Sequence, residues 1–156
     1  MKVRRASPDE AQALWRIRNQ AIRHGCKSSY DEKIIAAWTP ERMPAGYSKA
    51  VAENPFFVVD CPSGKPASTG FLDLSSGSVE AIFTLPSFAG QGMAGIIMEA
   101  IKKEARERGF TKLTLSSTPN AATFYEKHGF ILVRESLYPS TLAKASLRCM
   151  DMYCSL

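Results

Sequence analysis

Residues 86–95, Pro-Ser-Phe-Ala-Gly-Gln-Gly-Met-Ala-Gly, hold three glycines and two alanines in ten positions. No other stretch limits the fold as much. Before it, residues 79–85 read as an apolar strand. After it, Met93, Ile97, Ile101 and Ala105 recur at helical spacing, with Glu99, Lys102, Lys103 and Arg106 on the other faces. The stretch is therefore a strand-to-helix joint, where free N–H groups at the helix start point outward and the helix dipole favours an anion. Side chains there would hold a phosphate off the backbone, so glycine and alanine suit close approach. A plain tight turn packed with small residues is the competing use.

Two nucleotide motifs fail at this joint. A P-loop needs Lys-Ser/Thr at the end of GxxxxGK, which is missing. A dinucleotide fingerprint needs an acidic residue after the next strand, and no suitable acid follows residues 111–116.

The other elements follow from turn and capping signals. Residues 2–6 form a short strand, and Ser7-Pro8-Asp9-Glu10 starts a helix that runs to about His24. Residues 30–38 predict a second helix, and residues 39–54 a third that begins after Thr39-Pro40-Glu41. Strands follow at 56–60, 67–74 and 79–85, separated by turns at 61–66 and 75–78. Beyond the long helix, which Gly109 stops, come a strand at 111–116, a short helix from Thr118-Pro119 to Lys127, and strands at 130–135 and 146–154 joined by a loop around Pro139. This order predicts an α/β fold with a mixed sheet and one right-handed strand-helix-strand unit.

The length of 156 residues fits a single domain spanning 1–156. Four scattered cysteines without a CxxC pair, and two histidines, His24 and His128, without ligand-like neighbours, predict no metal site. The net charge of +5 is dispersed, which argues against nucleic acid and suits an anionic small molecule. No apolar run reaches the roughly 18 residues of a membrane span, and the start lacks an apolar secretion segment, so a cytoplasmic protein that binds no membrane is expected.

Two separated stretches resemble the GCN5-related N-acetyltransferase (GNAT) family, in its bacterial single-domain form. Residues 85–94 resemble its acetyl-CoA-binding motif, Gln/Arg-x-x-Gly-x-Gly/Ala, with Ala89 standing where the family has Gln or Arg. Asn120-Ala121-x-x-Phe124-Tyr125-Glu126-Lys127-x-Gly129-Phe130 is similar to its second signature. The resemblance implies an acyl-CoA N-acyltransferase fold: a mostly antiparallel sheet of six to seven strands flanked by helices, with the fourth and fifth strands splayed. It also implies acetyl-CoA as co-substrate, held at Ala89, Gly90, Gln91, Gly92, Met93 and Ala94 and by backbone groups of Ile82, Phe83, Thr84 and Leu85.

Acetyl transfer to an amine sets three tasks: a proton leaves the acceptor, an oxyanion is stabilised, and the departing thiolate is protonated. Tyr125 matches the family's general acid, and a phenol with a pKa of about 10 is protonated at neutral pH. Glu80 is the candidate base, with Asp73 and a water chain as alternatives. Asn120 either contacts the pantetheine arm or caps a turn. Trp15, Tyr30, Trp38 and Tyr47 either line an acceptor pocket or fill the core. The expected function is acetyl transfer from acetyl-CoA to a primary amine by direct attack in a ternary complex, by a monomer or homodimer. The acceptor is left open between a small amine and a protein amine. The alternative is a non-catalytic acyl-CoA sensor.

Overall fold

The computed structural model describes Met1–Leu156. Its strands are β1 (Val3–Arg5), β2 (Phe56–Asp60), β3 (Pro66–Asp73), β4 (Ser78–Thr84), β5 (Lys112–Ser117), β6 (Ile131–Ser140) and β7 (Ala145–Ser155). The helices are α1 (Ala11–Gly25), α2 (Glu32–Trp38), α3 (Ala45–Glu53), α4 (Met93–Glu107) and α5 (Ala122–Lys127). The seven strands form one mixed sheet in the order β1-β2-β3-β4-β5-β7-β6. Every neighbouring pair is antiparallel except β4 and β5.

Strand β2 shows why the sheet needs two helical layers. Its run Phe-Phe-Val-Val is buried at every position, as expected for a strand covered on both faces. Phe57 and Val59 join Ile97, Met98 and Ile101 of α4 and Leu113 of β5 in the larger core. Phe56 and Val58 turn the other way, onto Leu14 and Ile17 of α1 and Val51 of α3. The long helix thus packs on one face of the sheet and the first helices on the other.

Two sequence expectations change. The third helix starts at Ala45, with Pro44 as its N-cap, and not after Glu41. A helix running from Pro40 would place Pro44 one turn in, where its ring collides with the carbonyl four residues back and supplies no donor. Residues 39–44 instead lie along α1, where the Pro40 carbonyl accepts from Trp15 Nε1 and Asn19 Nδ2, both at 2.8 Å. Pro139 lies inside β6, opposite Ser146, and not in a loop. Strand β6 is the outermost strand, so a residue without an N–H forfeits no ladder bond on its open side. No helix is long and apolar enough to cross a membrane.

Candidate active site

Strands β4 and β5 share one paired position, Ser78 with Thr114, and then diverge. A kink in β4 drives them apart. Ala81 and Ile82 together oppose Gly70 of β3, because the register shifts between Thr69/Phe83 and Phe71/Glu80. Ala81 adopts φ +53°, a left-handed conformation uncommon for a residue with a Cβ. Gly70 makes room for the bulge. A Cβ there would lie 2.7 Å from Ile82 Cγ1 and 2.9 Å from Ile97 Cγ2.

Of the four predicted β4 backbone contacts, two are occupied within the protein. Leu85 N–H donates to Ala67 O at 2.8 Å, and Leu85 O accepts from Phe88 N–H at 2.9 Å. Antiparallel alternation then turns Phe83 toward β3 as well, and leaves the N–H and C=O of Ile82 and Thr84 facing the gap. The Phe83 carbonyl also accepts from the Ser68 hydroxyl at 3.1 Å.

At the wide end of the gap lies the glycine loop. Gly90 and Gly92 have φ +79° and +85°, a conformation that glycine alone adopts freely. The first helical bond of α4 is Ile96 N–H to Gly92 O at 3.2 Å, and the N–H groups of Gly90 through Gly95 have no acceptor within the chain. Ala89 does not share in this array, since its own N–H donates to Pro86 O at 3.2 Å. Gln91 is exposed and its side chain makes no bond. Met93 buries its side chain in the core while its N–H stays free.

Tyr125, on α5, packs edge-on against Phe124 and Phe130 with ring centroids 5.2 and 5.9 Å away. Its hydroxyl has no hydrogen-bond partner in the chain. Burial first, and the nearby Glu80 charge second, push the phenol well above its ordinary pKa, so it holds its proton. Glu80, on β4, accepts from the Ser78 hydroxyl at 2.9 Å. It keeps an exposed surface, yet the surrounding walls desolvate its carboxyl enough to raise its pKa above the usual range, with the Asp73 charge adding to the rise.

Asp73 is placed differently. It ends β3 and accepts from the Ser75 N–H at 2.9 Å and the Ser75 hydroxyl at 2.7 Å, bonds that hold its carboxyl below the usual range. It is a turn residue, outside the cavity that Glu80 lines. Asn120 turns toward the end of α1, where its Oδ1 lies 3.5 Å from Cys26 Sγ.

A cavity of about 220 Å³ lies beside the gap, on the face covered by the first helices, with Glu80 and Ala81 in its wall. Tyr30 and Trp38 line it; Trp15 and Tyr47 do not, and instead pack on each other at 5.0 Å. The sequence reading left those four aromatics undivided. It missed Arg18 of α1, which also lines the cavity and is 8% exposed. An arginine on an amphipathic helix reads as solvated, and only its separation by three and four positions from Trp15, Leu14 and Ile22 hints at the buried face. No group of three or more His, Cys, Asp and Glu side chains converges in a way that could hold a metal ion.

The sequence profile of the acetyltransferase (GNAT) domain matches residues 26–154. The uncharacterized N-acetyltransferase YjcF of Bacillus subtilis is 34% identical over 73 residues. That stretch is 46% of this chain and 52% of YjcF, so the match spans about half of that relative's length. Among solved structures, the GCN5-related N-acetyltransferase from Rhodopseudomonas palustris superposes with a TM-score of 0.88 at 21% identity, covering 99% of this chain and 94% of that one. YncA of Salmonella typhimurium, solved with acetyl-CoA, gives a TM-score of 0.70 at 19% identity, covering 100% and 94%. At such identities these two structures establish the fold.

Proposed function

The chain belongs to the GNAT acetyltransferase family, and from that premise we propose that residues 1–156 act as one acetyltransferase domain, moving the acetyl group of acetyl-CoA directly to a primary amine in a ternary complex. One observation carries the reading: a gap between β4 and β5 that begins after a single paired position and opens onto an array of unused backbone donors. The N–H groups from Gly90 to Ala94 suit a pyrophosphate, whose charge the α4 dipole also favours. Without a Gln or Arg at Ala89, the backbone supplies this contact alone. The pantetheine arm lies in the gap as a surrogate strand, bonding Ile82 and Thr84, and this directs the thioester toward Glu80 and Tyr125.

The chemistry follows from those two groups. Glu80, with a carboxyl shifted toward neutrality, takes a proton from the acceptor ammonium, directly or through a water. The freed amine attacks the thioester carbonyl, whose developing oxyanion meets a β4 N–H. As the C–S bond breaks, Tyr125 donates its phenolic proton to the departing sulfur, and the second proton shed by the acylated nitrogen restores the phenol. The phenol's lack of any other partner favours this role. Asn120, engaged with Cys26, positions the start of α5 rather than touching substrate.

Thiol release from acetyl-CoA by the purified protein, measured against a panel of primary amines, tests the proposal. Amine-dependent release with a one-to-one acetylated product is expected. Tight acetyl-CoA binding without release for any amine would sink the catalytic reading and favour an acyl-CoA sensor.

A further inference from the structure

Arg18 carries a buried charge with no counter-charge. Its guanidinium carbon lies 4.2 Å from the Trp15 ring centroid and 5.6 Å from that of Trp38, so indole faces flank it. Nη1 donates to Asn19 Oδ1 at 2.8 Å and to the Trp38 carbonyl at 2.9 Å, both neutral acceptors. None of the chain's ion pairs includes it. Nε and Nη2 have no acceptor, although a guanidinium offers five N–H donors in a rigid fork and keeps its charge at neutral pH.

Burying such a charge is costly unless an anion meets it. A purely structural arginine in this position would be expected to pair with a carboxylate, as Arg4 does with Glu10 and Asp60. Arg18 instead borders the cavity whose wall also holds Glu80. One cavity thus presents a fixed cation and a carboxylate. Its volume of about 220 Å³ lies below the roughly 300 Å³ at which sites for drug-sized ligands begin. Trp38, Phe83 and Leu147 supply apolar wall to the same cavity.

We propose that the acceptor is a small amine bearing a carboxylate, of the amino-acid class, with its carboxylate held by Arg18 and its amine directed to Glu80. This rests on the acetyltransferase reading above. The guanidinium fork accepts a carboxylate through two parallel N–H bonds, which a lysine ammonium cannot reproduce. The arrangement disfavours a protein lysine, whose ε-amine carries no nearby carboxylate for the guanidinium to hold.

The test uses wild-type protein with a panel of α-, β- and γ-amino acids, each paired with its carboxamide and its decarboxylated amine. Thiol release and, separately, acceptor binding to the CoA-loaded protein by calorimetry are measured. At least about a ten-fold preference in kcat/KM for one or more acids over their matched amides is expected, the scale of a hydrogen bond to a charged group. Arg18→Gln should lower kcat/KM on the acids by more than on their matched decarboxylated amines, collapsing that preference, and Arg18→Lys should keep only part of it. Equal turnover of acids, amides and simple amines by the wild type would overturn the proposal, whether or not either variant folds. If no amine supports release, the acetyltransfer reading fails, and carboxylate-dependent binding by calorimetry then decides the anion site alone: its presence supports the Arg18 assignment and its absence overturns it.

Discussion

Tyr125→Phe separates a catalytic tyrosine from a packing one. The substitution deletes one oxygen and keeps the ring, together with its edge contacts to Phe124 and Phe130. Since the hydroxyl bonds to nothing in the chain, its removal breaks no protein hydrogen bond and opens no apolar void. The change in stability should therefore stay within about 0.5 kcal/mol. Catalysis should respond on a different scale. Loss of a positioned general acid costs on the order of 10²-fold to 10⁴-fold in rate, equivalent to about 3–5 kcal/mol of barrier. Three measurements on one preparation settle it: the melting temperature, the affinity for acetyl-CoA, and kcat from thiol release. The expected pattern is an unchanged melting temperature, acetyl-CoA affinity within a few-fold, and a collapsed kcat. A kcat close to wild type would remove Tyr125 from the mechanism, and parallel losses in all three would make it a structural residue.

Gly70→Ala drives a methyl to within 2.7 Å of Ile82 Cγ1. Overpacking of this kind costs about 1–3 kcal/mol, or about 2–4 °C of melting temperature per kcal/mol at this chain length. The bulge should shift and turnover fall with it, and an unchanged melting curve would show that the bulge does not need the glycine. Glu80 titrates above the ordinary carboxylate range, so activity should be lost as pH falls through that raised pKa, and Glu80→Gln should abolish this limb along with most of kcat. Because folding favours its protonated form, Glu80 weakens the fold as pH rises, so the Gln variant should gain relative stability between pH 4 and pH 7 in paired melts; an equal or lower value at pH 7 would contradict the desolvation. Tyr47→Phe removes a buried hydroxyl that has no partner and keeps the contacts to Trp15 and Phe56. It should raise stability by up to about 1–3 kcal/mol in denaturant unfolding, and a loss of stability would mean that the hydroxyl is bonded after all.

Local signals made the loop and the order of elements legible. The glycines of residues 90 and 92 declare positive φ, and apolar spacing from Met93 to Ala105 declares the helix that follows. Signals that depend on two distant segments were not legible. The left-handed Ala81 is imposed by its position opposite Gly70, and neither residue alone announces a bulge. The length of β6 escaped because Pro139 is a strand breaker in general and harmless only on an outer edge. Arg18 escaped because its burial is created by Trp38, twenty residues on, folding over it. Asp73 and Glu80 look alike in sequence, and their pKa values move in opposite directions only because a serine turn solvates one and a cavity wall desolvates the other.

The lone rung between Ser78 and Thr114 makes the sheet, in main-chain terms, two half-sheets, β1 to β4 and β5 to β7. Side chains of the larger core, in which Ile97 and Ile101 of α4 join Leu72 and Leu113, are what weld them. Amide hydrogen exchange should accordingly resolve two cooperative units, each opening with its own free energy. On the proposed reading, acetyl-CoA in the gap would bond to the β4 edge of the first unit while its thioester reaches Tyr125 on the α5 side of the second. Occupancy should therefore merge the two opening events into one, so that the substrate is also the missing seam of the fold.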